Sequence, residues 1–155
     1  MKKHKIIFVC LGNYCRSPMA EGIFTTIVVQ DGRESAFEIS SAGTKDWDVG
    51  LRPDSRALRL LAQHGYQLSS LKRARMITQD EIKNADYLIA MSQRVAEDLG
   101  NASNVHLLLD FAPDIPAKDI PDPYPTDTFP QAFNLIELGV KAFYAYLIRE
   151  DLYNK

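Results

Sequence analysis

The sequence predicts an α/β fold: a single domain with a four-stranded parallel sheet flanked by helices and a phosphate-binding loop after the first strand. Three observations carry this expectation. Short apolar runs alternate with helix-period segments along the chain, the pattern of strands joined by crossover helices. The first such run, Ile6-Ile7-Phe8-Val9, leads straight into Cys10-Leu11-Gly12-Asn13-Tyr14-Cys15-Arg16-Ser17. Ser17-Pro18 then reads as a helix start, with Ser17 as N-cap and Pro18 as a first helical residue whose missing N–H would be unpaired anyway.

The elements follow in order. A strand over residues 5–10 is succeeded by a helix over about 18–30, with Met19, Ile23 and Ile27 along one face. Residues 37–41 form a second strand and lead into a loop carrying Trp47. Pro53 opens a helix holding Ala57, Leu60, Leu61 and His64, which Gly65 ends. A short helix over 78–84 precedes a buried third strand over 87–91. A helix over 93–99 leads to a fourth strand over 105–108, and residues 111–125 make a Pro-rich loop. The last helix, 129–152, carries Phe133, Ile136, Val140, Phe143 and Leu147 on its apolar side. With 155 residues, 46% of them hydrophobic, the chain is long enough for one ordinary core. No repeat, low-complexity tract or linker divides it, so residues 1–155 read as one domain.

The loop after the first strand holds the chemistry. An Arg at this spacing after either of the 2 Cys is expected by chance roughly 0.12 times, and a following Ser brings that below roughly 0.01. The site lies where a strand's C-terminal end meets a helix's N-terminal end, the place where open parallel sheets bind ligands and where a helix favours an anion. Phosphoryl transfer is mostly positioning and charge stabilisation. The N–H groups of residues 11–16 suit a nest around phosphoryl oxygens, and Arg16 suits a bidentate grip that a lysine cannot make. Gly12 permits a tight turn, and Asn13 tolerates a left-handed backbone. Such surroundings favour a Cys10 thiolate, to which Ser17 can donate its hydroxyl. An alcohol leaving group also needs an acid. Asp122, in Ile120-Pro121-Asp122-Pro123-Tyr124-Pro125, is the leading candidate, because its flanking prolines stiffen the loop.

Together these residues resemble the low-molecular-weight protein tyrosine phosphatases, and the resemblance runs from CLGNYCRSPMAEGIF to the late DPY segment. It implies that Cys10 attacks phosphorus to form a phosphocysteine and that Arg16 binds the phosphoryl group. It further implies that Asp122 protonates the leaving phenol, then serves as base for the hydrolytic water. Asn13 and Ser17 match residues that hold the loop and the nucleophile. Leu11, Gly12, Tyr14 and Cys15 complete the substrate loop, while Trp47 and Tyr124 match aromatics on the pocket rim and opposite wall. Cys15 matches a cysteine that can trap the oxidised nucleophile as a reversible disulfide. The implied partner is a tyrosine-phosphorylated protein, with no cofactor and no metal; a monomer or weak dimer in the cytoplasm is expected.

One departure stands out. The family often places a histidine, bonded to the loop asparagine, where Ser70-Leu71-Lys72-Arg73-Ala74-Arg75 has Lys72. A lysine donates but does not accept, which puts the support around Asn13 in question.

The remaining residues read more plainly. His4, His64 and His106 lack metal-ligand spacing and are expected as surface or packing residues. Tyr144, Tyr146 and Tyr153 are expected in packing or an interface, and Tyr124 is also a possible target of a partner kinase. A net charge of −2 gives no sign of nucleic-acid or anionic-membrane affinity. The apolar stretch after the basic first residues is short, lacks a small-residue cleavage site and contains Cys10, so it does not read as a signal peptide.

Rival functions fit less well. An arsenate reductase of this fold needs further cysteines, and none follows Cys15. Protein-arginine phosphatases place a small threonine where Tyr14 stands, whereas a bulky aromatic suits a flat phosphotyrosine ring. A non-catalytic phosphotyrosine-binding module would need only the nest and Arg16, not Cys10 with Asp122. Walker-type and dinucleotide-binding fingerprints are missing. Replacing Lys72 by His is expected to change turnover of an aryl phosphate less than tenfold; a larger change would make Lys72 part of the mechanism.

Overall fold

A computed structural model describes residues 2–152. Four parallel strands, β1 (His4–Cys10), β2 (Phe37–Gly43), β3 (Tyr87–Ala90) and β4 (Val105–Leu107), lie in the order β2-β1-β3-β4. The helices are α1 (Arg16–Gln30), α2 (Ser55–Gln63), α3 (Gln79–Asn84), α4 (Gln93–Asp98) and α5 (Phe129–Tyr146). The α/β fold and the four parallel strands agree with the sequence expectation.

The alternation of side chains along β1 divides the core. Ile6, Phe8 and Cys10 face a cluster with Met19, Ile23 and Phe24 of α1 and Phe133, Ile136, Val140 and Phe143 of α5. Ile7 and Val9 face the other side, against Leu88, Val95 and Leu99. Because both faces are covered, the strand reads as a continuous apolar run. An aromatic stack fills the first cluster: Phe143 lies 5.6 Å from Phe24 and 4.8 Å from Phe111, and meets Phe8 edge-on at 6.2 Å. His64 packs on Phe133 at 4.5 Å and His106 on Tyr87 at 5.5 Å, while Tyr146 packs on Phe111 at 5.2 Å. Tyr144 meets Phe24 edge-on and donates its hydroxyl to Asp31; Tyr153 lies outside the described residues.

Boundaries differ where side chains decide them. The helix at Pro53 starts two residues later, because the Asp54 carboxylate caps it by accepting the Arg56 N–H at 2.8 Å. At α3, Thr78 and Glu81 form a reciprocal capping box. Residues 108–111 form a 3₁₀ turn, and the last helix becomes π-helical over Leu147–Leu152 instead of continuing regularly. Gly139 lets α5 lie against that 3₁₀ turn, since a Cβ there would sit 2.7 Å from Leu108 Cγ. The helix expected to start at Pro18 begins at Arg16, and the Ser17 hydroxyl caps nothing. Its partners lie in the loop.

The register brings Cys10 opposite Gly43, and β2 and β3 flank β1 on its two edges. Connections therefore leave β1 in opposite directions, and the loop after Cys10 sits over the resulting crevice. Because Phe143 joins both strands and helices, Phe143→Ala should cost about 3–5 kcal/mol of stability, read as a lowered urea midpoint at an unchanged slope.

Candidate active site

Residues 11–15 wrap from the end of β1 into α1 and are tied down from several sides. Cys10 O and Leu11 O accept the N–H groups of Thr44 and Lys45 at 3.0 and 2.9 Å, and Tyr14 O accepts that of Asp54 at 2.9 Å. Asn13 takes the left-handed conformation, with φ 57°, and is fully buried. Its Nδ2 donates to Ser17 Oγ at 2.8 Å and Ser41 Oγ at 3.0 Å, while its Oδ1 accepts the Arg75 N–H at 3.1 Å. Ser17 Oγ lies 3.0 Å from Cys10 Sγ. Gly43 makes room for this loop: a Cβ there would be 2.5 Å from Leu11 O and 3.0 Å from Asn13 N.

The support around Asn13 is complete without a histidine. Lys72 donates to Ser41 O at 2.9 Å, and Ser41 donates to Glu21 Oε1 at 2.5 Å.

Above the loop is a cleft of about 380 Å³ lined by Cys10, Leu11, Gly12, Tyr14, Cys15, Arg16, Trp47, Asp48, Leu51, Asp122 and Tyr124. Cys10 and Arg16 are nearly buried at its floor, while Trp47 and Tyr124 stand exposed at the rim. Tyr14 and Tyr124 meet edge-on, their centroids 6.0 Å apart. Asn13 and Ser17 do not line the cleft; both lie beneath it. The structure thus brings the other expected site residues to one cavity.

The loop carrying Asp122 is anchored to the same floor. Arg16 Nη1 donates to Ile120 O at 2.9 Å, and the Ile120 N–H reaches Met91 O at 2.8 Å, just past β3. Asp122 Oδ1 accepts the Tyr124 N–H at 3.1 Å, which turns the chain locally. Burial, then Asp54 and Cys10, push the Cys15 thiol far above its ordinary value, so Cys15 stays neutral beside Cys10. Both cysteines are free thiols.

Sequence reasoning passed over four contributors. Asp48 lies over the loop, since a Cβ on Gly12 would approach its Oδ2 to 2.3 Å. Burial, then Asp122, raise the Asp48 carboxyl. Leu51 adds an apolar wall. Arg56 pairs with Asp54 and Asp127 and lies 5.3 Å from the Tyr124 ring, bracing the acid loop from α2. Glu21 is the buried acceptor behind Ser41. Asp48 had a signal beside Trp47, whereas the others depend on tertiary placement. Among the described residues, no three His, Cys, Asp or Glu side chains cluster to hold a metal ion.

The family model for low molecular weight phosphotyrosine protein phosphatases matches residues 5–152. The chain belongs to this family. It is 34% identical over 154 residues to the low molecular weight protein-tyrosine-phosphatase YfkJ of Bacillus subtilis, covering 94% of this chain and 96% of that protein. The crystal structure of YfkJ superposes with a TM-score of 0.93 at 32% identity, covering 97% of this chain and 98% of that one. The crystal structure of a Drosophila arginine phosphatase superposes with a TM-score of 0.85 at 30% identity, covering 95% and 99%. The chain is accordingly an enzyme of the protein-tyrosine-phosphatase class. No helix among the described residues is long and apolar enough to cross a membrane.

The Gly43 contact gives a test of the loop's seating. Gly43→Ala should push the loop from Leu11 to Asn13 and lower kcat/KM by about 10²-fold, since small misplacements of reacting groups cost that much. An unchanged kcat/KM would show that the loop tolerates the methyl group.

Proposed function

We propose that this enzyme hydrolyses phosphotyrosine on proteins through a phosphocysteine, with Cys10 as nucleophile, Arg16 as phosphate clamp and Asp122 as acid and then base. The observation that carries the reading is the placing of Cys10 and Arg16 at the floor of the cleft that Asp122 lines. The loop's N–H groups and the start of α1 stabilise the phosphoryl charge. In the first step the Cys10 thiolate attacks phosphorus, the bond to the phenol oxygen breaks, and Asp122 gives that oxygen a proton. In the second, Asp122 takes a proton from water as the water oxygen attacks phosphorus. The P–S bond breaks and the thiolate returns, favoured as a leaving group by Ser17.

The depth of Cys10 favours a long phosphotyrosine over a short phosphoserine. The walls formed by Tyr14 and Tyr124 favour a flat ring. The likeness to an arginine phosphatase and the two cleft carboxylates, Asp48 and Asp122, support phosphoarginine as a second reading. Tyr14 weighs against it by narrowing the cleft.

Hydrolysis of an aryl phosphate, with chelator present, should be lost in Cys10→Ser and should fall about 10²–10⁴-fold in Asp122→Ala. Activity that survives Cys10→Ser overturns the mechanism. Matched phosphopeptides should show higher kcat/KM for phosphotyrosine than for phosphoarginine, and the reverse order selects the second reading.

A further inference from the structure

We propose that Asp119 is a positioning residue for Asp122: its carboxylate ties the loop to α4, and that tie sets where Asp122 meets the leaving oxygen. The inference deepens the reading of Asp122 as acid and rests on it.

Between the 3₁₀ turn that ends at Phe111 and the start of α5 at Phe129 the chain forms no helix or strand, so its path depends on single hydrogen bonds. Three of these meet at two adjacent residues. Asp119 Oδ1 accepts the Gln93 N–H at 2.8 Å, the Ile120 N–H donates to Met91 O at 2.8 Å, and Ile120 O accepts from Arg16 Nη1 at 2.9 Å. Pro121 and Pro123, on either side of Asp122, have no N–H to donate. The bonds from Tyr124 N–H to Asp122 Oδ1 and from Thr128 N–H to Pro123 O close turns within the loop. The next hydrogen bond to another element, from Arg56 Nη1 to Asp127 at 3.0 Å, lies well past Asp122.

The two bonds of Ile120 use backbone groups of one residue, about which the loop can still swing. The Asp119 bond is made by a second residue to a second element, and it removes that freedom. Helix α4 does not depend on it, because the Ser92 hydroxyl already caps the helix by accepting the Val95 N–H. The neighbouring Lys118–Asp110 pair does not replace it either. Both side chains of that pair are half exposed, so water screens it and it holds little. The Asp119 bond is charge-assisted and lies three residues before Asp122. Misplacing a reacting group by about 1 Å can cost about 10²-fold in rate, so a loop loosened here loses proton transfer while Cys10 and Arg16 stay seated.

The test compares kcat/KM for phenyl phosphate, whose leaving oxygen needs the proton, with that for p-nitrophenyl phosphate, whose leaving group departs more readily without one. Asp119→Ala should lower it about tenfold for phenyl phosphate and less than about threefold for p-nitrophenyl phosphate, a fraction of the worth of a general acid. Asp119→Asn should stay within about threefold of wild type on both, because the amide Oδ1 still accepts the Gln93 N–H. Gln93→Pro removes the donor instead of the acceptor; proline suits this first helical position after an extended Ser92. It should give the same split between the two esters, and equal rates to wild type there would count against the tie. In an Asp122→Ala background, adding Asp119→Ala should change kcat/KM by no more than about twofold, since nothing is left to position.

A residue that merely supports the fold predicts equal losses on the two esters and losses that multiply with Asp122→Ala. Either result overturns the proposal, as does a wild-type rate for phenyl phosphate in Asp119→Ala. If Asp119→Ala does not fold, Gln93→Pro decides alone. Full phenyl phosphate activity in Asp122→Ala would overturn Asp122 as acid, and the proposal with it. A large loss there, with Asp119→Ala unaffected, overturns the proposal alone.

Discussion

The seating of Asn13 is the constraint on which the site depends. A non-glycine residue with φ 57° is strained, and it persists only where its surroundings over-determine it. Here three hydrogen bonds, from β2, α1 and the segment at Arg75, converge on one buried amide. The turn they hold lets the backbone after Cys10 curl back toward α1. Without it, the chain leaving Cys10 would enter α1 at another angle. The hydrogen bond between Cys10 and Ser17 has the same origin, because Asn13 occupies the acceptor side of that hydroxyl.

From this loop the constraint passes to the rest of the cleft through Arg16. Its guanidinium is nearly buried and holds the Ile120 carbonyl, which lies two residues before Asp122. One residue therefore joins the floor of the cleft to the loop bearing Asp122. Pro121 and Pro123 limit how far that loop can bend in between, while Arg56 braces its far side. Asp122 and Cys10 are far apart in sequence, yet few soft torsions separate them in the folded chain.

Much of this was legible in the sequence because local rules and tertiary rules agreed there. The apolar run from Ile6 to Val9 is buried on both faces, so it could be read without knowing its neighbours. The spacing from Cys10 to Arg16 is a short-range property and survived intact. Ser17 shows the limit. Its type and place suit an N-cap, but a nearby thiol and amide outcompete the helix N–H groups for its oxygen. The π-helical end of the last helix has no local marker, since the apolar spacing continues to Leu147 without interruption. Glu21 was hidden for a different reason: a charged side chain reads as solvated until the fold buries it beside a distant partner, here Lys72.

The same burial explains how charge is arranged along the path of a substrate. Arg16 and the start of α1 lie at the floor and favour an anion, while Asp48 and Asp122 also line the cleft. A lone anion gains at the floor but is opposed by the carboxylates on the way in. Burial, and after it the neighbouring Asp122, raise the Asp48 carboxyl. An aromatic body carrying its charge at one end suits such a cleft, whose lining includes Tyr14, Trp47 and Tyr124. Selectivity then follows from the distance between the anion and the next charge on the substrate, rather than from total charge.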